Sequence, residues 1–286
     1  MSITSNEEKA TTFAKTFFPK QPKFLSVPAE FQYLEPLPDP TEITRRQILI
    51  QIQRLSSYKA PGPDDIPNVV LQKCADLLIE YLYHIFQGIL ERGYYFKPWR
   101  EFVTIVLRKP GKPNYTVPKA YRPIALLCTI AKLLTALVAD DMSRLVEKHQ
   151  LLPKTHFGGR PGRTTTDAIH YLTYRIKEAW RKGKVASILF LDVEGAFPNA
   201  VTDRLIHNLK RRRMPKIYIN FVKQLLGDRS TKLKFDDFTS EPIKIENGIG
   251  QGDPLSMLLY IIYNADLLEI ADTKNSKDEL AAGIRG

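Results

Sequence analysis

Asp192 is the residue whose position points most directly to chemistry, because it ends the almost uniformly apolar run Val185-Ala-Ser-Ile-Leu-Phe-Leu191. A run of that kind predicts a strand buried on both faces. A carboxylate at the mouth of a buried strand is stable when it is paired, hydrogen-bonded or bound to a metal ion. Helix capping is the alternative, although Asp203 is better placed than Asp192 for the next helix start. The pattern makes Asp192 a candidate metal ligand.

Two further motifs have residue types suited to a sugar or a planar ligand. Gly195 permits the close approach of a backbone or ligand, and Phe197 presents a flat apolar surface shortly after Asp192. In Gly250-Gln-Gly-Asp-Pro-Leu-Ser256, two glycines let the glutamine amide lie against a planar or sugar-like group. A helix-entry turn explains Asp253 and the proline after it, but not the Gly-Gln-Gly. Both motifs are candidate ligand contacts.

A net charge of +11, from 42 Lys and Arg against 31 Asp and Glu, favours a polyanionic partner, because basic side chains that neutralise phosphates release condensed counterions. A basic surface without a partner explains the composition equally well, so the positions of the charges must decide. One cluster crosses a predicted strand-turn-strand and contains Lys109 and Arg122. A second is the loop Gly158-Gly-Arg-Pro-Gly-Arg163, where Arg160 and Arg163 are candidates for contact with a nucleic-acid backbone. A purely structural turn is the alternative for that loop.

Several classes of protein are excluded by the residues that the chain contains. Two cysteines, Cys74 and Cys128, cannot form a disulfide framework or a cysteine-type zinc site, and their apolar neighbours favour buried thiols. The five histidines share no metal-ligand spacing. The first residues lack a secretory signal pattern, and charges interrupt the longest apolar runs. We therefore expect a soluble, intracellular protein without a membrane partner, with nucleus or cytoplasm left open.

A mixture of helices and strands must position these candidate residues. Pro36, Pro38 and Pro40 favour an arm or linker over residues 1–40 rather than core. After that, helices and strands follow no regular β-α-β order, which favours an α+β fold. The predicted helices are 42–55, 68–92, 129–148, one capped by the threonines at 164–166, two short ones from 202 and 215, and a last one to about 270. The predicted strands are 102–108, 121–127, 185–191 and a hairpin over 231–246.

Five motifs occur in the order and rough spacing of the reverse transcriptase domain of non-LTR (LINE-type) retrotransposons, which the sequence resembles from about residue 43 to 268. They are Lys59-Ala-Pro-Gly-Pro-Asp64, Tyr121-Arg-Pro-Ile124, the 158–163 loop, Asp192-Val-Glu-Gly-Ala-Phe-Pro198 and the 250–256 loop. The resemblance implies a right-hand polymerase fold with fingers at 41–184, a partial palm at 185–286 and no thumb. The implied activity is RNA-directed DNA polymerase (reverse transcriptase), which transfers nucleotides from deoxynucleoside triphosphates to a DNA primer on an RNA template.

The resemblance also assigns residues to the incoming nucleotide. Arg122 matches the fingers arginine that holds the triphosphate, and Lys109 is its companion in a less certain alignment. Phe197 matches the gate residue that excludes a 2′-hydroxyl. Gln251 and Gly252 match the loop that contacts the nucleotide sugar and the template base.

The resemblance implies a site for two Mg²⁺ ions that this chain fills only in part. Asp192 matches the first catalytic aspartate, which binds both ions, and the carbonyl of Val193 matches a ligand of one of them. In the family, a hairpin with an aromatic-x-Asp-Asp turn follows the glutamine loop; here residues 272–286 contain no such pair, although 280–284 match the start of that strand. The pair in Phe235-Asp-Asp-Phe238 precedes the loop, and aspartates are common at hairpin tips.

Loss of members of a site that acts as a unit commonly costs several kcal/mol of barrier. We therefore expect a truncated reverse transcriptase domain without measurable polymerase activity on its own. The alternative is a non-catalytic nucleic-acid-binding protein that keeps the same fold as a scaffold.

Overall fold

The computed structural model describes residues 5–24, 27–40, 42–273 and 282. The predicted strand start at 280–284 lies outside the described residues except for residue 282. Helices and strands are mixed, which confirms the α+β prediction at that level. The described helices are α1 (Asn6–Phe17), α2 (Arg45–Arg54), α3 (Asn68–Lys73), α4 (Ala75–Arg92), α5 (Thr129–Lys148), α6 (Thr165–Arg181), α7 (Thr202–Arg211), α8 (Lys216–Leu226) and α9 (Ser256–Thr273); the strands are β1 (Glu101–Arg108), β2 (Tyr121–Leu126), β3 (Arg229–Phe235), β4 (Phe238–Thr239) and β5 (Ile243–Ile245).

The sheet is built outward from β1. Strand β1 pairs antiparallel with β2 and parallel with β3, and β3 also pairs antiparallel with β4 and β5. Buried side chains alternate along β1 at Phe102, Thr104 and Val106, as one covered face requires. On that face the buried hydroxyls of Thr104 and Thr231 are 2.8 Å apart and satisfy each other across the parallel pair.

The main apolar core surrounds α5, whose bounds match the predicted helix at 129–148. Leu133, Leu134, Leu137, Val138 and Met142 on this helix are essentially inaccessible to solvent. Side chains of α2, α4, α7, α8 and α9 belong to the same cluster. Because α5 follows β2 after a two-residue link, this packing also fixes the strand that carries Arg122.

The single helix predicted over 68–92 is wrong, because the backbone at Cys74 leaves helical geometry (φ −103°, ψ 14°) and separates α3 from α4. The apolar stripe predicted for this helix is Val70, Cys74, Leu77, Leu78, Tyr81, Leu82, Ile85 and Ile89, and it is correct only in part. Leu82 and Ile89 are buried as predicted, whereas Leu77 and Tyr81 are 76% and 70% exposed. A break of this kind changes the phase of the helix, so a stripe continued from α3 includes residues on the exposed face of α4.

The predicted strand at 185–191 is not formed. The segment is irregular, and Val185 and Leu191 are 92% and 83% exposed. The residue types have the local preference for a strand, but ladder hydrogen bonds need a partner. None of the five described strands pairs with this segment.

The expectation of an arm or linker rather than core does not hold for α1. Ser5 caps this helix by accepting a hydrogen bond from the Glu8 N–H. Ala10, Phe13 and Phe17 are buried against the sheet in a cluster with Val106, Leu233 and Phe235. The capping residue and the i, i+3, i+7 spacing of these apolar side chains are signals of an amphipathic helix that the nearby prolines obscured. The boundary at residue 41 stays a prediction.

Residues 33–39 also pack on the helical part of the chain, as an extended segment along α7 and the start of α8. The Tyr33 hydroxyl lies 2.8 Å from His207 Nδ1, and the Leu37 N–H donates to the Arg213 carbonyl at 2.8 Å. Asp39 accepts a hydrogen bond from the N–H of Ile217 at 3.0 Å, where α8 begins. These contacts bind the segment at three successive places.

Ion pairs fix α9, the helix that follows the glutamine loop, against α7. Asp266 lies 2.9 Å from Arg211 and 2.8 Å from Arg212, and Glu269 pairs with both arginines. The buried Asn208 adds a hydrogen bond to the Tyr263 carbonyl at 3.0 Å. Within the described ranges, no helix combines the length and apolar character needed to cross a bilayer.

Candidate functional site

A cavity of about 650 Å³ is lined by β1, β2, the segment 194–199, the loop before α9 and the end of α1. Four of the residues singled out in the sequence share its lining: Lys109, Arg122, Phe197 and Gln251. They come from four separate stretches of chain. The structure therefore brings together four of the five residues that the resemblance assigns to the incoming nucleotide; the fifth, Gly252, is next to Gln251 but is not part of the lining.

One part of the lining is cationic. Arg122 is exposed on β2, opposite Leu107 of β1, and Lys109 follows the end of β1. The Lys109 ammonium donates to the Lys119 carbonyl at 2.9 Å. Lys119 itself forms an ion pair with Glu194 and lowers the pKa of that carboxyl by hydrogen bonding. Both partners of the pair are exposed, so it contributes little stability and is readily exchanged.

The glutamine loop is held against β2 by its backbone. The Gln251 carbonyl accepts a hydrogen bond from the Ala125 N–H at 2.8 Å. Gly252 has φ +120°, and a Cβ at this position would lie 2.7 Å from the Ala125 carbonyl oxygen. Only glycine fits so close to the strand with that backbone conformation. This explains the second glycine of the Gly-Gln-Gly motif, which a plain helix entry did not.

The loop is also bound to the segment that carries Phe197. The Ile249 N–H donates to the Phe197 carbonyl at 2.9 Å, and the Gly248 N–H donates to the Ala200 carbonyl at 3.1 Å. The Phe197 ring lies 5.5 Å from that of Tyr260 on α9. Phe197 and Gln251 are therefore parts of one hydrogen-bonded unit.

Arg229 lies beneath the loop and lines the cavity, although no sequence pattern pointed to it. The residue is 5% exposed. Its guanidinium donates to the Gly248 carbonyl at 2.7 Å and to the Leu226 carbonyl at 3.1 Å. Burial lowers its pKa to about 10, while the charge of Asp253 acts in the opposite direction. At neutral pH Arg229 therefore remains a cation. Its contact with the Gly248 carbonyl spans 19 residues of sequence, which is why spacing did not predict the role of Arg229.

Asp253 fixes the other end of the loop. Its carboxylate accepts a hydrogen bond from the Leu255 N–H at 2.8 Å, in the helix-entry role that the sequence predicted. Burial of the carboxyl raises its pKa to about 6, although Thr135 and the charges of Arg229 and Lys132 favour the ionised form. The residue as a whole is half-buried.

Asp192 and Val193 are both exposed, and neither contributes to the cavity lining. In this stretch of the chain the first lining residue is Glu194, two residues after Asp192. In the part of the chain that the structure describes, no three His, Cys, Asp or Glu side chains are grouped so that they can hold a metal ion. The carboxylate nearest in sequence to Asp192, that of Glu194, is paired with Lys119. The described residues therefore do not fit the two-ion magnesium site that the resemblance implies.

The structure favours the structural alternative for Arg160 in the basic loop. This side chain is buried, and two of its nitrogens contact the Glu147 carboxylate at 2.7 Å each. It also donates to the Pro153 carbonyl at 2.8 Å, so it pins the loop to the end of α5. Arg163 is half-exposed, 5.6 Å above the Phe157 ring. Contact of Arg163 with nucleic acid stays a prediction.

Comparison with known proteins gives the family. Residues 107–281 match the family described as reverse transcriptase (RNA-dependent DNA polymerase). That segment is more than half of the chain, and the chain belongs to this family. Its relatives are of the non-LTR, LINE-type kind, which confirms the resemblance seen in the sequence.

Three relatives come from Drosophila melanogaster. The chain is 32% identical to the probable RNA-directed DNA polymerase from transposon BS over 77% of its own length and 24% of that protein. It is 32% identical to the probable RNA-directed DNA polymerase from transposon X-element over 76% of the chain and 24% of that protein. It is 29% identical to the RNA-directed DNA polymerase from mobile element jockey over 83% of the chain and 25% of that protein. The chain therefore spans about a quarter of the length of these relatives.

The two glycines on either side of Gln251 provide a matched test of the loop geometry. We expect Gly252→Ala to lower the free energy of unfolding by about 2–4 kcal/mol, because the new Cβ clashes with β2 and the backbone conformation is strained. Gly250→Ala should change it by less than about 0.5 kcal/mol, since a Cβ there meets nothing within 4 Å. Urea unfolding measures both. Hydrogen exchange at the Ala125 amide should accelerate only in Gly252→Ala; equal effects of the two substitutions would show that the loop does not need this contact.

The raised pKa of Asp253 gives a stability that depends on pH. A carboxyl whose pKa is higher in the folded state contributes stability below about pH 4, and this contribution is lost as the pH rises through the folded-state pKa of about 6. Asp253→Asn keeps an acceptor for Leu255 and cannot ionise. Its free energy of unfolding relative to the unsubstituted chain should therefore rise by about 2 kcal/mol between pH 4 and pH 7. Denaturant unfolding at both pH values measures the difference, and a constant difference would contradict the buried ionisation.

Proposed function

We propose that the cavity is the deoxynucleoside triphosphate site of a non-LTR reverse transcriptase domain, and that this 286-residue polypeptide binds nucleotide and primer-template without extending a primer by itself. The observation that carries the proposal is the shared lining of one cavity by Lys109, Arg122, Phe197 and Gln251. The likeness to RNA-directed DNA polymerases supports the choice of ligand.

The triphosphate binds the cationic part of the lining. Arg122 presents paired N–H donors to phosphate oxygens, and Lys109 and Lys119 add point charges beside it. In the free chain, Lys119 forms an ion pair with the Glu194 carboxylate. Because that pair is exposed, a triphosphate with higher charge displaces the carboxylate at small cost.

The sugar lies between Phe197 and the glutamine loop. Because the Ile249 N–H is hydrogen-bonded to the Phe197 carbonyl, Phe197 and the glutamine loop move together. The backbone therefore sets the width of the space for the sugar. A ring held in this way rejects an added hydroxyl by steric contact, which is the discrimination against a 2′-hydroxyl that the resemblance assigns to Phe197. Gln251, in the 250–256 loop, lines the same cavity as Phe197.

Catalysis in this family depends on carboxylate-held metal ions. Of the carboxylates expected there, the described residues include only Asp192, which is exposed and outside the cavity lining. The described residues therefore support no metal-dependent step in this polypeptide. Its proposed role is to hold the reactants.

The division into fingers (41–184) and partial palm (185–286) remains part of the proposal. Strand β3, from the second part, pairs with β1 of the first over five residue pairs. The two parts therefore share one sheet. This arrangement supports a fixed cavity rather than two parts that move independently.

Two arginines on the same hairpin provide a matched test of triphosphate binding. Arg122→Ala should weaken binding of dTTP about tenfold or more, because it removes charge-assisted hydrogen bonds to phosphate. Arg108→Ala removes the same charge next to the cavity, but this side chain lies over the Tyr115 ring and outside the lining. Its effect should stay below about threefold. Isothermal titration measures both, and equal losses would point to general charge attraction instead of a site.

Primer extension tests the second half of the proposal. The purified polypeptide should bind an RNA–DNA primer-template with salt-dependent affinity and yield no extended primer with all four deoxynucleoside triphosphates and magnesium present. A gel assay beside an active reverse transcriptase measures this. Extension that Asp192→Ala abolishes would overturn the proposal, because Asp192 would then act with carboxylates outside the described residues.

A further inference from the structure

The end of α1 forms a wall of the cavity. Thr16, Phe17 and Phe18 contribute to its lining beside β1 and β2. These residues lie far before the segment 107–281 that matches the reverse transcriptase family. The site therefore includes a surface that the family comparison does not assign.

Helix α1 is held firmly enough to act as a wall. The Phe13 ring stacks on Phe17 at 5.4 Å and meets the rings of Tyr121 and Phe235 edge-on at 5.0 and 5.5 Å. Aromatic contacts of this geometry add to the apolar burial of the helix. Tyr121 immediately precedes Arg122 on β2, so α1 rests on the strand that carries the triphosphate contact.

Phe18 lies at the apolar end of the cavity. It is half-buried and packs against a cluster that contains Phe102, Ala125 and Ile245. Phe102 is near the start of β1, whereas Lys109 follows its end, a separation on the order of 20 Å in extended backbone. The cavity thus has an aromatic end and a cationic end. A nucleotide has the same polarity, with a planar base at one end and phosphates at the other.

We propose that α1 closes the nucleotide cavity and that the Phe18 ring is the surface on which the nucleobase stacks. The proposal rests on the proposed function, since it takes Lys109 and Arg122 as the triphosphate contacts. Every base has a flat π-face, so this contact strengthens binding of all four deoxynucleoside triphosphates without selecting among them.

Two ligands distinguish the contributions of the two ends of the cavity to binding. They are dATP, which has a base, and inorganic tripolyphosphate, which has none. Phe18→Leu keeps the apolar packing of α1 and removes the ring. It should lower the affinity for dATP about tenfold and change the affinity for tripolyphosphate by less than about twofold. Phe18→Tyr keeps the ring and should restore dATP affinity. Phe24→Ala removes a nearby aromatic side chain that is 89% exposed and outside the lining, and it should change neither affinity.

The outcomes distinguish this proposal from the proposed function. If the unsubstituted chain binds both ligands and Phe18→Leu binds dATP equally well, the stacking role is wrong and the triphosphate site stands. If Phe18→Leu loses both ligands together, or hydrogen exchange shows that α1 has detached, Phe18 supports the wall without contacting the base, and the proposal is again overturned. If the unsubstituted chain binds neither ligand, the proposed function itself fails.

Discussion

The hydrogen bond between the Ala125 N–H and the Gln251 carbonyl is the contact on which the site depends. It joins the strand that carries Arg122 to a loop that is remote in sequence, and it requires the backbones to approach so closely that Gly252 has no space for a side chain. The loop in turn binds the Phe197 segment through Ile249. One backbone contact thus sets the distance between Arg122 and Phe197 across the cavity.

Two buried charges support that contact from below. Arg229 donates to the Gly248 carbonyl, and Asp253 accepts from the N–H of Leu255 immediately before α9. Burial destabilises the charged form of each, as the directions of their pKa shifts show. Such groups are tolerated when hydrogen bonds and mutual attraction offset the loss of water. Here they fix a loop at both ends, which an apolar pair of the same size would not do, because it offers no directional bonds.

The parts of the fold that the sequence predicted are those specified by neighbouring residues. The bounds of α5, the cap at Thr164 and the turn between β3 and β4 follow from local patterns. The failures share a non-local cause. Residues 185–191 have strand preference without a paired partner among the described strands, and the guanidinium of Arg160 is taken by Glu147 on the preceding helix. Arg229 was not predicted either, since its contact with the Gly248 carbonyl depends on tertiary packing.

The same distinction explains why residues that the resemblance assigns to the nucleotide line one cavity, whereas Asp192, which it assigns to metal, lies outside that lining. Arg122, Phe197 and Gln251 are held by backbone contacts within the described residues, so their motifs carry both residue type and position. Asp192 depends on a strand, and a strand depends on a partner. With residues 185–191 exposed, the type of residue is present without the element that would place it. Helix α1 is the converse case, because it lies outside the matched segment and nevertheless reaches the cavity, so the limits of a family match are not the limits of a site.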